Sequence, residues 1–228
     1  MISIGIVAHH SRHERATRLA DIVGAEVVTV DQGSIGAGAN HEICYDWLAS
    51  SRSAWTVVLE DDAMPVRGFV AQLEQVLRAA PTPLVSLYLG RGRPPHWQVS
   101  IARVIAGDEN FFLGSELLHH VAVAIRTPLV PGMLKFIRAD PDYAAGKLPI
   151  DEAIGRWARE AAKIPVSYAH PSIVNHDPDL PTVIKRHLSQ HKTEDGKRGR
   201  KQIRKAWAFG MRQQWEPTTA VIPDPVLA

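Results

Sequence analysis

The first sixty residues alternate short apolar runs with segments of helical spacing, and this alternation constrains the fold more than any other feature of the chain. Residues 2–8 (Ile-Ser-Ile-Gly-Ile-Val-Ala) read as a buried strand, residues 12–23 place their apolar positions at helical spacing, and residues 26–31 form a second strand. Strand, helix and strand in that order build a parallel sheet, because parallel neighbours need a long crossover between them. A glycine-rich turn at 33–38 leads into a helix from about residue 40 to 50. Trp55-Thr56-Val57-Val58-Leu59 then makes a third strand that runs straight into Glu60, Asp61 and Asp62. The three acids thus fall at the carboxyl end of a strand, the edge at which open α/β sheets bind ligands.

Further along, the pattern predicts a helix over 68–80, a strand over 84–89, and a basic, proline-broken loop over 91–97. A buried strand over 121–125, a short helix over 128–139 and a helix over 149–162 follow. A last strand covers 166–174, ahead of Asn175-His176-Asp177. The expected fold class is α/β: a mixed, mainly parallel Rossmann-like sheet flanked by helices over residues 1–184, with a basic helical C-terminal extension over 185–228.

Charge divides at the same point. Residues 1–184 hold 16 Lys/Arg against 20 Asp/Glu and residues 185–228 hold 10 against 4, although the whole chain is only +2. A basic arm on an acidic body suits a polyanionic partner, nucleic acid or an anionic membrane; a solvated basic helix would give the same composition. The single cysteine, Cys44, excludes an internal disulfide and any cysteine-rich metal centre. Only a six-residue apolar stretch precedes His9 and His10, too short for a membrane span, so a soluble, cytoplasmic protein is expected.

Three consecutive carboxylates at the end of a buried run repel one another and lose hydration, and a divalent cation relieves both costs. Magnesium and manganese take hard oxygen ligands and keep positions open for phosphate oxygens, so Glu60 and Asp62 are candidate ligands of a metal–diphosphate. An acidic turn capping the next helix is the alternative. His176 follows an apolar strand and precedes Asp177-Pro178, so it lies on a loop; a lone histidine there is more often structural or surface than a ligand, though an imidazole suits manganese and Asp177 stands in reserve. Asp151 and Glu152 open a predicted helix, a position that suits the helix dipole as well as catalysis.

The run Val57-Val58-Leu59-Glu60-Asp61-Asp62-Ala63 resembles the Leu-Glu-Asp-Asp-Ala signature of the lipopolysaccharide-type glycosyltransferases, a group that includes the procollagen galactosyltransferases. Upstream, Gly36-Ala37-Gly38-Ala39-Asn40-His41 with Trp47 resembles that family's Gly-Cys-x-x-Ser-His segment, with Ala37 and Asn40 at the cysteine and serine positions. Downstream, Pro149-Ile150-Asp151 is similar to its Pro-x-Asp element. The matches keep the family's order and cover roughly residues 1–180. The resemblance implies a GT-A-like fold and a metal-dependent, inverting hexosyl- or pentosyltransferase that uses Mn2+ or Mg2+ and a nucleotide sugar, UDP-linked by expectation.

On that pattern Ala8, His10, Ser11, Arg12 and Arg15 would meet base and diphosphate, Asp31 ribose or base, and Asn40, His41, Glu60 and Asp61 the remainder of the donor. Glu60, Asp62 and His176 would hold the metal. Asp151, with Glu152 second, would be the base that takes the acceptor's proton. For Arg12 and Arg15 an amphipathic helix with solvated cations is an equal reading.

For the acceptor, Arg198, Arg200 and Lys201 in the basic arm, together with Arg91, Arg93 and Trp97 in the basic loop, suggest DNA. The specific expectation is a hydroxymethylated base sugar-coated in the manner of phage DNA-modification enzymes, with Trp97 supporting the vacated stack. A lipopolysaccharide or other surface glycan is the competing acceptor. A nucleotidyltransferase is disfavoured, since residues 8–15 lack the glycine and lysine of its loop. A non-catalytic nucleic-acid-binding module is the alternative of another class.

Overall fold

The computed structural model describes residues 1–92, 94–107, 109–177, 179–180, 205–207, 210 and 218–222. Within them the strands are β1 (Ile2–His9), β2 (Val27–Asp31), β3 (Trp55–Glu60), β4 (Ala63–Pro65), β5 (Leu84–Ser86), β6 (Phe111–Gly114), β7 (Ala122–Arg126), β8 (Val166–Ala169), β9 (Val174–His176) and β10 (Thr219–Val221). The helices are α1 (His13–Val23), α2 (Gly36–Ala49), α3 (Phe69–Ala79), α4 (Pro95–Ile105), α5 (Val130–Ala139), α6 (Pro141–Ala144) and α7 (Ile150–Trp157). Eight strands form one mixed sheet in the order β10-β6-β8-β5-β7-β3-β1-β2, flanked by helices on both faces. The α/β class expected from the sequence is the one found. No helix among the described residues is long and apolar enough to cross a membrane.

β1 lies one strand in from an edge of the sheet. It pairs in parallel with β2 and β3, with Gly5 opposite Val27 on one side and Val58 on the other. β7 runs antiparallel between β3 and β5, with Leu59 opposite Ala122. This reversal brings the start of β7 to the same edge as the end of β3. A second, two-stranded sheet pairs β4 with β9 antiparallel and sets Ala63 opposite His176.

Side-chain alternation sorts the core into two layers. Ile4, Ile6, Val57 and Leu59 pack with α1 and α3, through Ala16, Leu19, Phe69 and Leu73. Val7, Val58, Val123 and Ile125 pack with α2, α5 and α7, through Tyr45, Leu48, Met133, Leu134 and Ile154. Each fully buried Leu or Val contributes about 1.5–3 kcal/mol. The helix α2 lies close on β1: a Cβ at Gly5 would sit 2.5 Å from Cys44 Sγ and 2.9 Å from Leu48 Cδ1.

Several boundaries differ from the sequence reading. Helix α2 starts earlier than expected, at Gly36. The segment 91–97 is not all loop, since Pro95 opens α4 and Trp97, Ser100 and Ile101 form its buried stripe; proline is tolerated at a helix start, where its missing N–H has no partner to lose. The strand expected over 166–174 is two strands in different sheets, because Pro171 cannot donate to a ladder. Strand β6 was missed altogether. Residues 218–222, in the segment read as an extension, supply the edge strand β10, parallel to β6, and Ile222 is buried.

Candidate active site

Alternation also parts the three acids. Glu60 shares the face of Val58 and α2, whereas Asp61 turns to the face of Val57, Leu59 and α1. On the α1 side, the Arg12 guanidinium donates to Asp61 Oδ1 at 2.6 Å and stands 3.4 Å from Asp62 Oδ2. The His9 backbone N–H donates to Asp61 Oδ2 at 2.9 Å, and Arg15 Nε donates to the Asp61 carbonyl at 2.8 Å. Arg15 also pairs with Asp177 at 3.1 Å, and His176 Nε2 lies 3.1 Å from Asp62 Oδ2. The β4–β9 pairing, with Asp177 N–H donating to the Asp62 carbonyl, carries His176 and Asp177 here from a distant part of the sequence.

On the α2 side, His41 Nδ1 is 2.7 Å from the Ala37 carbonyl and its Nε2 is 3.5 Å from Glu60 Oε1. His120, just ahead of β7, stacks edge-on to His41 with ring centroids 4.3 Å apart, and its Nε2 lies 2.8 Å from the Tyr45 hydroxyl. Burial, with His41 adding to it, pushes His120 well below the ordinary histidine range, so its ring is neutral. Among the described residues, His41, Glu60 and His120 are the group of His, Cys, Asp or Glu whose ligand atoms all lie within 4.8 Å. The expected trio of Glu60, Asp62 and His176 is not gathered in that way: Asp62 and His176 meet, while Glu60 faces α2. His120 was missed by the sequence reading. The signal present was a histidine pair immediately before a buried apolar run.

Asp151 opens α7, half-buried and within electrostatic reach of Glu60. Burial, and then the Glu60 charge, raise its carboxyl to about 7. Glu152 beside it is exposed.

Other expected donor contacts hold the loops. Asp31 Oδ1 accepts the backbone N–H groups of Gly33, Ser34 and Ile35 at 2.8–3.1 Å, and Oδ2 accepts that of Gly36 at 3.0 Å. Both its oxygens are engaged in starting α2. Asn40 Nδ2 donates to the carbonyls of Ala8 and Thr29, which ties β1 to β2 at their carboxyl ends. Ala8 is buried, whereas His10 and Ser11 lie exposed at the rim.

Of the expected acceptor contacts, Trp97 is 3% exposed and sits in the second core layer with Leu89 and Ile101. It cannot stack on a nucleobase without leaving the core, and that role is withdrawn. Arg91 lies over the Trp207 ring at 4.6 Å. Arg93, Arg198, Arg200 and Lys201 fall outside the described residues.

Two surface depressions lie away from this edge. One of about 400 Å3 is lined by Met1, Trp55, Arg78 and Arg126, and one of about 510 Å3 by Ile22, Val66 and Phe69. Neither includes an ionisable residue of the two clusters, so chemistry rather than concavity marks the site.

No protein-family model matches the chain, and no curated protein does. Two solved structures are similar over much of its length. A Bacillus anthracis protein assigned as a glucose-1-phosphate thymidylyltransferase, crystallised with sucrose, has 8% identity and a TM-score of 0.42, covering 77% of this chain and 89% of its own. A glycosyltransferase involved in glycosylation of the PBCV-1 major capsid has 9% identity and a TM-score of 0.36, covering 73% and 79%. At such identities and scores these likenesses say nothing of substrate or reaction.

Proposed function

We propose that the chain is a metal-dependent glycosyltransferase that moves a sugar from a nucleotide-sugar donor to a hydroxyl acceptor. The observation that carries the reading is the gathering at one sheet edge of Arg12, Asp61, Asp62, His176 and Asp177 on one face and of Glu60 and Asp151 on the other, all at or beyond the end of β3. This is the edge where parallel strands present ligand-binding groups, and the Leu-Glu-Asp-Asp-Ala run lies within it. The guanidinium groups of Arg12 and Arg15 against the carboxylates of Asp61, Asp62 and Asp177 sum to one negative charge. A diphosphate therefore needs a cation to bind there.

Asp62 and His176, 3.1 Å apart, fit that cation as a carboxylate and an imidazole on one side of it. Mn2+ or Mg2+ so held would neutralise the charge that develops on the leaving diphosphate. Asp151 is the base. It takes the proton of the acceptor hydroxyl as that oxygen bonds to the anomeric carbon; the bond from carbon to diphosphate oxygen breaks, and the nucleoside diphosphate leaves with the electron pair. UDP as the nucleotide and a hydroxymethylated DNA base as the acceptor belong to the same proposal, supported by the family resemblance and by the charge of the C-terminal arm.

Incubation with a panel of nucleotide sugars and Mn2+ should release nucleoside diphosphate. Release of pyrophosphate instead would mean nucleotidyl transfer, and no turnover or binding with any donor would refute the reading. Asp62→Asn should lower Mn2+-dependent donor affinity at least ~10-fold by calorimetry with an unchanged circular dichroism spectrum; unaltered affinity would remove Asp62 from the site.

A further inference from the structure

We propose that His41, Glu60 and His120 together bind one divalent transition-metal ion, at a site separate from the diphosphate end of the edge. The argument begins with His41. A carbonyl only accepts, so the 2.7 Å contact from Nδ1 to the Ala37 carbonyl puts the ring proton on Nδ1. Nε2 is then the ring nitrogen left to face the Glu60 carboxylate 3.5 Å away. That distance is longer than the roughly 2.7–3.2 Å typical of a hydrogen bond. It matches the edge of a tetrahedron with bonds of about 2.0–2.1 Å, which is roughly 3.3–3.4 Å. A ring nitrogen and a carboxylate oxygen set at that distance leave room for a cation between them.

His120 supplies the third donor. It is 3% exposed, Tyr45 holds its Nε2, and its Nδ1 is buried with no hydrogen-bond partner, as is His41 Nε2. Three ligand atoms at most 4.8 Å apart surround a point no more than about 2.8 Å from each, so a cation there would draw each donor in by at most roughly 0.7 Å to reach bonds of ~2.1 Å.

Outer contacts of the kind that orient metal-binding histidines are in place: a backbone carbonyl on His41 and a phenol on His120. Two imidazoles and one carboxylate select Zn2+ or Co2+ over Mg2+ or Ca2+. Three protein ligands leave a position open, and the Glu60 side chain, 31% exposed, connects the site to the surface.

The test needs no nucleotide sugar, so its outcome is independent of the glycosyltransferase reading. The full chain, stripped with a chelator, is titrated with Zn2+ by calorimetry and with Co2+ by visible absorption. The expected result is one tight equivalent of either metal at this site, apart from any held by Asp62 and His176, with the d–d bands of low-coordinate cobalt and a raised Tm. Glu60→Gln and His41→Gln should each weaken Zn2+ binding more than ~10-fold, Tyr45→Phe about 10-fold through loss of the hydroxyl on His120, and Asp62→Asn should leave it unchanged. Circular dichroism of each variant separates lost ligation from lost fold. If the wild-type chain binds no Zn2+, or 15N spectra show His41 doubly protonated and ion-paired to Glu60 with Zn2+ present, the proposal is overturned. It is equally overturned if folded Glu60→Gln and His41→Gln bind Zn2+ like wild type.

Discussion

Single residues at the edge divide into those that build it and those positioned to react. Asp31 is a builder. Burial pushes its carboxyl up, but the four backbone N–H groups outweigh that and hold it below the ordinary carboxylate range. A carboxyl lowered on folding stabilises the fold above its unfolded value of about 3.9, and the contribution is lost as pH falls through the folded value. Asp31→Ala should therefore cost about 1–2 kcal/mol near neutral pH, and the gap to wild type should close below about pH 4 in chemical denaturation. A gap that stayed constant through the acid range would show that the carboxylate is not what starts α2. Asp151 is positioned to react. Asp151→Asn should lower kcat by about 100- to 10,000-fold while donor affinity stays within about 2-fold, a split that a helix-capping role would not produce. The acids at 60–62 could be marked from their position at a strand end, and the histidine at 176 from the family resemblance. His120 could not, because a histidine beside a hydrophobic run looks the same whether it packs, binds or faces solvent.

Elements were legible where period and context agreed. β1, α1, β2, β3, α3, β7 and α5 lie within a residue or two of their expected bounds, since a clean two- or 3.6-residue period is itself the cause of their burial. Legibility failed where a side chain outside the apolar period, or a distant strand, decides the outcome. Helix α2 begins early because the Asp31 carboxylate, two to five residues upstream, accepts the amides of the turn that leads into it. The 166–174 run divides because Val174 finds Pro65 rather than the main sheet. Gly5 shows how close the surviving packing is. Gly5→Ala should destabilise the protein by about 1–3 kcal/mol by forcing Cys44 and Leu48 off β1; a thermal midpoint equal to wild type would mean that α2 can retreat freely.

For the molecule as a whole, the basic arm and the body are not separable by cutting. Residues 205–207 return to pair with the segment after β5, with Trp207 N–H donating to the Leu89 carbonyl and Arg91 N–H to that of Lys205, and β10 closes the sheet edge. Charge must be removed in place. If DNA is the acceptor, replacing Arg198, Arg200 and Lys201 with glutamine should reduce the slope of log affinity against log salt by up to about 2.7, at roughly 0.9 for each phosphate left unneutralised. An unchanged slope would send the search to a glycan.

The backbone N–H of Ala206 donates to Asn175 Oδ1 at 2.8 Å, on the residue adjoining His176. A strand that carries a proposed cation ligand is thus latched by a part of the chain made some thirty residues later. During synthesis the strand that carries His176 waits for residue 206 before its latch can form.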